Sequence, residues 1–238
     1  MWAIFKKEMR SYFTTSIGYI FLSCALVISA VIFSATTLFS QTADMSIYFT
    51  ALIFILMLFL PILTMKSFSE EKRTRTEQLL LTSPVSTTEM VLAKVLSAVA
   101  MLVIFLFLSF VFVLFLFPFL PEESSFNMGL LFGNMIALLL VGMCFIAIGV
   151  FVSSLTENQF AAIVITVVIL LAMFVINLFN SFIDVYAIRV VLDWLSIYSR
   201  YQPFTYGLFD FGALFYYLSI SGVFVFLTVR VFESRKYR

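Results

Sequence analysis

Seven ionisable side chains crowd twelve residues: Lys66, Glu70, Glu71, Lys72, Arg73, Arg75 and Glu77. The apolar runs on either side carry almost no charge. A cluster this dense could be an acid–base or metal site, or a polar surface made for another protein. The first option needs ligands and bases that the chain does not supply. It has no histidine, which removes imidazole bases, imidazole metal ligands and imidazole pH switches together. Its two cysteines, Cys24 and Cys144, sit inside apolar runs and read as small packing residues. No G-x-x-x-x-G-K-[ST] loop is present to cradle ATP phosphates, so any energy must come from a partner. A Lys, Arg or Asp at the bilayer centre costs roughly 2.5–3.5 kcal/mol. The charged stretch therefore belongs in water or at a membrane surface.

Its internal spacing predicts a helix. Glu71 precedes Arg75 by four residues, the favourable order for an ion pair, and Arg73 and Glu77 form a weaker pair in the reverse order. Leu79, Leu80 and Leu81 give the far end an apolar knob. Ser83 before Pro84 turns the chain out of helix, and Thr87 or Thr88 then offers an N-cap ahead of Glu89.

The stretch from Glu70 to Lys94, EEKRTRTEQLLLTSPVSTTEMVLAK, resembles the cytoplasmic connection of ABC-2-type transporter permeases. Glu70, Glu71, Thr76, Leu79, Leu80, Pro84, Val85, Glu89 and Lys94 match the family pattern. Arg75 stands where glycine is common there, and Ala93 where glycine precedes the lysine. The Thr76–Pro84 portion is similar to the gliding-motility permeases. The resemblance implies that this is a coupling element against a separate ATPase. Phe68, Glu70, Glu71, Lys72, Arg73, Arg75, Thr76, Leu79 and Leu80 would then be contact or coupling residues, and none would be catalytic. It also implies an ABC ATPase partner, two copies of it, carrying the ATP and Mg that this chain does not bind. A second permease copy or a related permease would complete the assembly, with no role for nucleic acid. The Ser153–Gln159 turn is similar to the family's Ser-Leu-Thr-x-Asn-Gln and is a second candidate contact.

The elements that must position this segment follow from composition. The chain has 238 residues, 63% hydrophobic and 11% charged, against about 45–50% and 25% in soluble domains. Six runs are long enough to span a bilayer at about 20 residues each: 17–39, 47–65, 90–117, 126–151, 160–180 and 212–232. Lys94, near the start of the third, is expected to snorkel outwards. Pro118, Pro121, Glu122 and Glu123 mark a short loop after that run. With both termini inside, twelve of the fourteen Lys and Arg residues lie on the cytoplasmic side, as the positive-inside tendency requires.

Two flanking segments complete the pattern. Over residues 1–16, Trp2, Phe5, Met9, Tyr12 and Phe13 share one helical arc, with Lys7, Glu8, Arg10 and Ser11 opposite and Lys6 at the edge. That is an amphipathic helix lying in the membrane interface; nothing in it resembles a cleavable secretory leader. Over 181–211, Asp184, Arg189, Asp193 and Arg200 stand among aromatic residues, too polar to cross and too apolar to sit free in water. Short re-entrant helices on the outer face are expected there, with Arg189 and Asp193 placed to pair. Asn134, Asn177 and Asn180 read as helix–helix hydrogen-bonding groups, and Gly129-x-x-x-Gly133 as a packing seam.

The expected structure is an all-α polytopic membrane protein in one transmembrane domain over 1–238. It has six transmembrane helices, an interface helix over 1–16, a coupling segment over 66–89 and short outer helices over 181–211. The expected location is the plasma (inner) membrane of a bacterium, multi-pass, with cytoplasmic termini. The expected role is the permease subunit of an ATP-driven ABC-2-type exporter, not an enzyme in itself. A non-transporting module passing force or signal to an extracytoplasmic partner would need the same features. Glu70–Arg75 also reads as E-E-x-x-x-R, which resembles a prenyl-endopeptidase motif, but those enzymes require histidines.

Overall fold

The computed structural model describes residues 1–39, 45–76, 86–114, 128–180, 192, 194 and 196–236, with nothing to be said of the side chains of 38, 177–180 and 236. Glu77, Leu79, Leu80, Pro118–Glu123, Asp184, Arg189 and Asp193, singled out above, lie outside the described residues.

Helix α1 (Trp2–Thr14) leads through the Thr15 bend into α2 (Ser16–Phe33), which ends in a π-helical turn over Ser34–Leu38. Then follow α3 (Ser46–Thr64), α4 (Lys66–Arg73), α5 (Thr87–Leu114), α6 (Met128–Leu155), α7 (Gln159–Asn180), α8 (Ile197–Thr205) and α9 (Phe211–Lys236). Among the described residues there is no strand. Among the described residues six helices are long and apolar enough to cross a membrane: α2, α3 running on into α4, α5, α6, α7 and α9. Helix is the form that satisfies every backbone group within one segment, which hydrocarbon demands.

Helix α6 is the hub. It packs against α3, α4, α5, α7, α8 and α9, and most of its side chains are buried. The outer helices bury one stripe each. In α2, Gly18, Phe21, Ala25, Ser29 and Phe33 face inwards, while Val27 and Val31 are more than 60% exposed. In α7, Ala162, Thr166 and Leu170 face inwards, and Val164 and Val168 outwards. These spacings of three and four make one helical face, and the exposed apolar sides are the surface a bilayer would cover.

Where α3 leans on α6 a glycine is required: a Cβ on Gly149 would strike the Thr64 side chain. The backbones therefore come close at the end of α3 from which α4 continues. The Gly129-x-x-x-Gly133 pair plays no such part within the chain at Gly133, which faces open space.

At the other end of the bundle α8 is fastened by buried polar groups. The Asn134 amide donates to the carbonyls of Leu130 (2.8 Å) and Phe204 (3.1 Å), and its oxygen accepts from the Tyr201 hydroxyl at 2.9 Å. Tyr217 of α9 donates to the Ile197 carbonyl at 2.8 Å. Asn134 is thus a helix–helix hydrogen-bonding residue, as expected. Arg200, half-buried, lies over the Tyr216 ring, 5.9 Å from its centroid.

Candidate functional site at the charged end of the bundle

Residues 66–76 do not form a free-standing helix. Met65 keeps helical angles between α3 and α4 (φ −54°, ψ −36°), so α4 continues the membrane helix. The helical turn ends at Arg73, and Arg75 takes φ +58°, the left-handed region that stops a helix. The anticipated Glu71–Arg75 pair therefore does not form. The turn after α4 is closed by Thr74, whose hydroxyl donates to the Glu70 carbonyl at 2.8 Å.

Glu71 turns inwards instead, to Lys94 of α5 at 2.8 Å. Lys94 does not snorkel: it is 2% exposed. Its ammonium also reaches Glu8 of α1 at 3.1 Å and the Ser67 carbonyl at the start of α4, and stands 4.8 Å from the centre of the Phe68 ring. All three of its donors are used, on α1 and α4. Glu8, placed by the sequence pattern on the polar outer face of α1, is likewise half-buried and inward. Glu8 and Glu71 keep side-chain exposures of only 15% and 14%. Burying charge is worth its desolvation only when each group is paired, and here two carboxylates share one ammonium. The second oxygen of Glu71 is buried with no hydrogen-bond partner among the described residues. Tyr12 packs beside the cluster, where burial and the Glu8 carboxylate push its phenol above its ordinary value, keeping it neutral.

A second fastening lies on the opposite side of α4. Ser153, one turn after Gly149 on α6, places its hydroxyl into the α3–α4 junction. It donates to the Met65 carbonyl at 2.9 Å and accepts from the backbone N–H groups of Phe68 and Ser69 at 3.1 Å each. The Ser69 hydroxyl donates to the Ser153 carbonyl at 3.0 Å. Phe68, buried, packs tilted against Phe232 of α9, ring centres 4.4 Å apart, and Arg235 donates to the Ser154 carbonyl at 2.7 Å. The tip of the segment is different: Arg73, Thr74, Arg75 and Thr76 are exposed. Lys72 reaches from α4 to the α6–α7 turn, 3.4 Å from the Leu155 carbonyl and 3.8 Å from Glu157. The two stretches singled out as candidate contacts thus meet, with Leu155, Glu157 and Asn158 exposed beside them.

Residues 23–229, most of the chain, match the family model for the ABC-2 family transporter protein. The chain belongs to the ABC-2 transporter family. It is a membrane permease subunit of an ABC transporter, a component that associates with an ABC ATPase and is itself typically non-catalytic. A search of the curated proteins finds no match.

In this ABC-2 permease the anticipated contact residues divide. Glu70, Arg73, Arg75 and Thr76 are half or fully exposed, and Lys72 is partly so. Phe68 and Glu71 are turned into the bundle, because Phe68 fills the gap beside Phe232 and Glu71 answers Lys94. On α1, Trp2, Lys6, Lys7 and Arg10 are exposed, and Phe5 half-buried and stacked on Trp2. The N-cap of α5 is Ser86, one residue before the threonines expected, its hydroxyl accepting from Glu89 N–H at 3.2 Å. Ser153 was missed as a fastening residue. The one available signal was its spacing of four from Gly149, which puts a small residue and a hydroxyl on one face of α6.

Proposed function

We propose that this permease is driven by a separate ABC ATPase acting on the exposed tip of α4, and that it exports its substrate. Glu70, Arg73, Arg75 and Thr76, with Leu79 and Leu80 beyond, form the ATPase contact, and the Leu155–Asn158 turn adjoins it. Phe68 and Glu71 serve from inside, holding α4 to the bundle. ATP and Mg sit in the partner, which binds in two copies to a pair of permeases. The charged end, where α1, α4 and the end of α9 meet, is the cytoplasmic one of a bacterial inner membrane, because it gathers the Lys and Arg residues. Helix α1 lies in the interface there. The kinship of the Thr76–Pro84 portion with gliding-motility permeases belongs to this reading.

The observation that carries it is the contrast along a single short helix. The base of α4 is bonded to α1, α5 and α6 through Lys94 and Ser153, while its tip stands exposed. A displacement applied at the tip is therefore delivered to the packed helices. The test is co-purification with the cognate ATPase together with membrane abundance. Arg73→Glu and Leu80→Asp are expected to leave abundance unchanged and to cut ATPase retention at least tenfold, since reversing interfacial charge and burying a carboxylate both oppose docking. Retention and stimulated turnover unchanged in both variants would refute the coupling role.

A further inference from the structure

We infer that the two fastenings of α4 are unequal by construction: Lys94 makes α1, α4 and α5 move as one body, and the Ser153 side is where α4 slips past α6. The inference rests on the ATPase-driven reading above and adds the direction in which the movement travels.

The argument is what each fastening leaves behind when it breaks. Pulling Lys94 away would strand an ammonium that is 2% exposed and two largely buried carboxylates, on α1 and α4, to which it is the cation bonded directly; Lys7 nearby is exposed. Stranded buried charge is among the least tolerated states in a protein. The Ser153 side strands nothing. The Phe68 and Ser69 N–H groups that it receives lie four residues beyond Thr64 and Met65, whose carbonyls are the ordinary acceptors in a continuous helix. Met65 is already helical, so withdrawing the serine lets these groups close onto their own helix. The Ser153 and Ser69 hydroxyls can likewise return to carbonyls one turn back, as Ser34, Thr50 and Ser221 do here.

The shapes agree with the bonding. Facing one another across the α3/α4–α6 contact are Thr64 and Ser69 on one side and Gly149 and Ser153 on the other, small side chains over which one helix can slide. Across the other contact Tyr12 is buried beside the cluster, too large to pass without unpacking, whereas Phe68 lies against the Lys94 ammonium and, on its other flank, against Phe232 of α9 rather than against α6. A push on the tip of α4 therefore carries α5 and α1 with it, and the outer end of the bundle responds through α5.

Two modifications of the permease–ATPase complex test this, both in a Cys24→Ser, Cys144→Ala background in lipid nanodiscs. Ser69→Cys with Ser153→Cys puts two thiols where hydroxyl oxygens stand 3.2 Å apart. Oxidation to the disulfide is expected to cut permease-stimulated ATP turnover at least tenfold, with recovery on reduction of the same sample. The neutral cluster Glu8→Gln, Glu71→Gln, Lys94→Met removes all three charges together, so no ion is left stranded. It is expected to keep ATPase retention, which the exposed tip provides, yet to lose the ATP-dependent change in maleimide reactivity of a Leu208→Cys reporter at the outer end. Full turnover with the disulfide closed, or an intact reporter response in the neutral cluster, overturns the inference. A reporter unmoved by ATP in the background protein overturns it as well. Absence of ATPase retention by the background protein overturns instead the reading on which it rests.

Discussion

Arg75 holds φ at +58°, a conformation that costs a residue with a Cβ about 1–2 kcal/mol and costs glycine little. Glycine is common at this position in the motif that the stretch resembles, and this backbone angle suits it. Arg75→Gly should raise the melting temperature of the detergent-purified permease by about 2–4 °C, whereas β-branched Arg75→Val should lower it. A fall with glycine would mean that the arginine side chain, not the backbone angle, stabilises the turn. Lys94 poses the complementary case. Lys94→Met alone removes the ammonium bonded to the largely buried Glu8 and Glu71 and should cost roughly 3–5 kcal/mol. Adding Glu8→Gln and Glu71→Gln should restore most of that loss, because the residues touch and their effects cannot add independently. Thermal unfolding of the single and triple variants decides it: a single variant as stable as the triple would mean that the cluster carries no buried charge.

At the scale of elements, the short helices at the two ends are fastened to α6 by polar groups in otherwise apolar surroundings. For α4 the agent is Ser153, with Gly149 bringing the backbones together; for α8 it is Asn134. Asn134→Leu would leave the Tyr201 hydroxyl and one acceptor site of the Phe204 carbonyl unanswered, a loss of roughly 1–3 kcal/mol for each group orphaned. The consequence should be local. Amide exchange over Ile197–Thr205 should quicken about tenfold or more while Lys66–Arg73 is unaffected, since the two helices lie at opposite ends of α6. Unchanged protection of α8 would show that its apolar packing alone, through Ile197 and Phe204, holds it in place.

Among the described residues the ion pairs gather at one end of the helical bundle. Glu8, Lys94, Glu71, Lys72, Glu157 and Arg235 all make their contacts there, and Asn134 and Tyr201 mark the other. In the proposed orientation, Arg73→Cys is shielded from an impermeant maleimide in intact cells and reacts after permeabilisation. Leu208→Cys, exposed in the turn between α8 and α9, reacts in intact cells. The reverse pattern would invert the topology and place the α4 tip away from any cytoplasmic ATPase.

Much of this was legible in the sequence, for a physical reason. A bilayer accepts only long apolar helices, so six such runs matched the six long apolar helices, the second of which runs on through Arg73, and the Glu70–Lys94 motif pointed to the ABC-2 family. The stripe of Phe21, Ala25, Ser29 and Phe33 is local periodicity, and local periodicity survives without a fold. What only the tertiary structure decided are pairings between distant segments. Glu71 had a suitable partner four residues away in Arg75, yet the backbone leaves the helix before that pair can form, and Lys94, twenty-three residues on, takes it. Glu8 lies on the polar arc of α1 by pattern and turns inwards because that ammonium is there. Ser153 read as the start of a candidate contact turn, and its bonding to the α3–α4 junction appeared only once α3 closed against Gly149. Helical spacing reports which residues share a face; which face meets a buried charge depends on how the helices pack, and that is a property of the whole bundle.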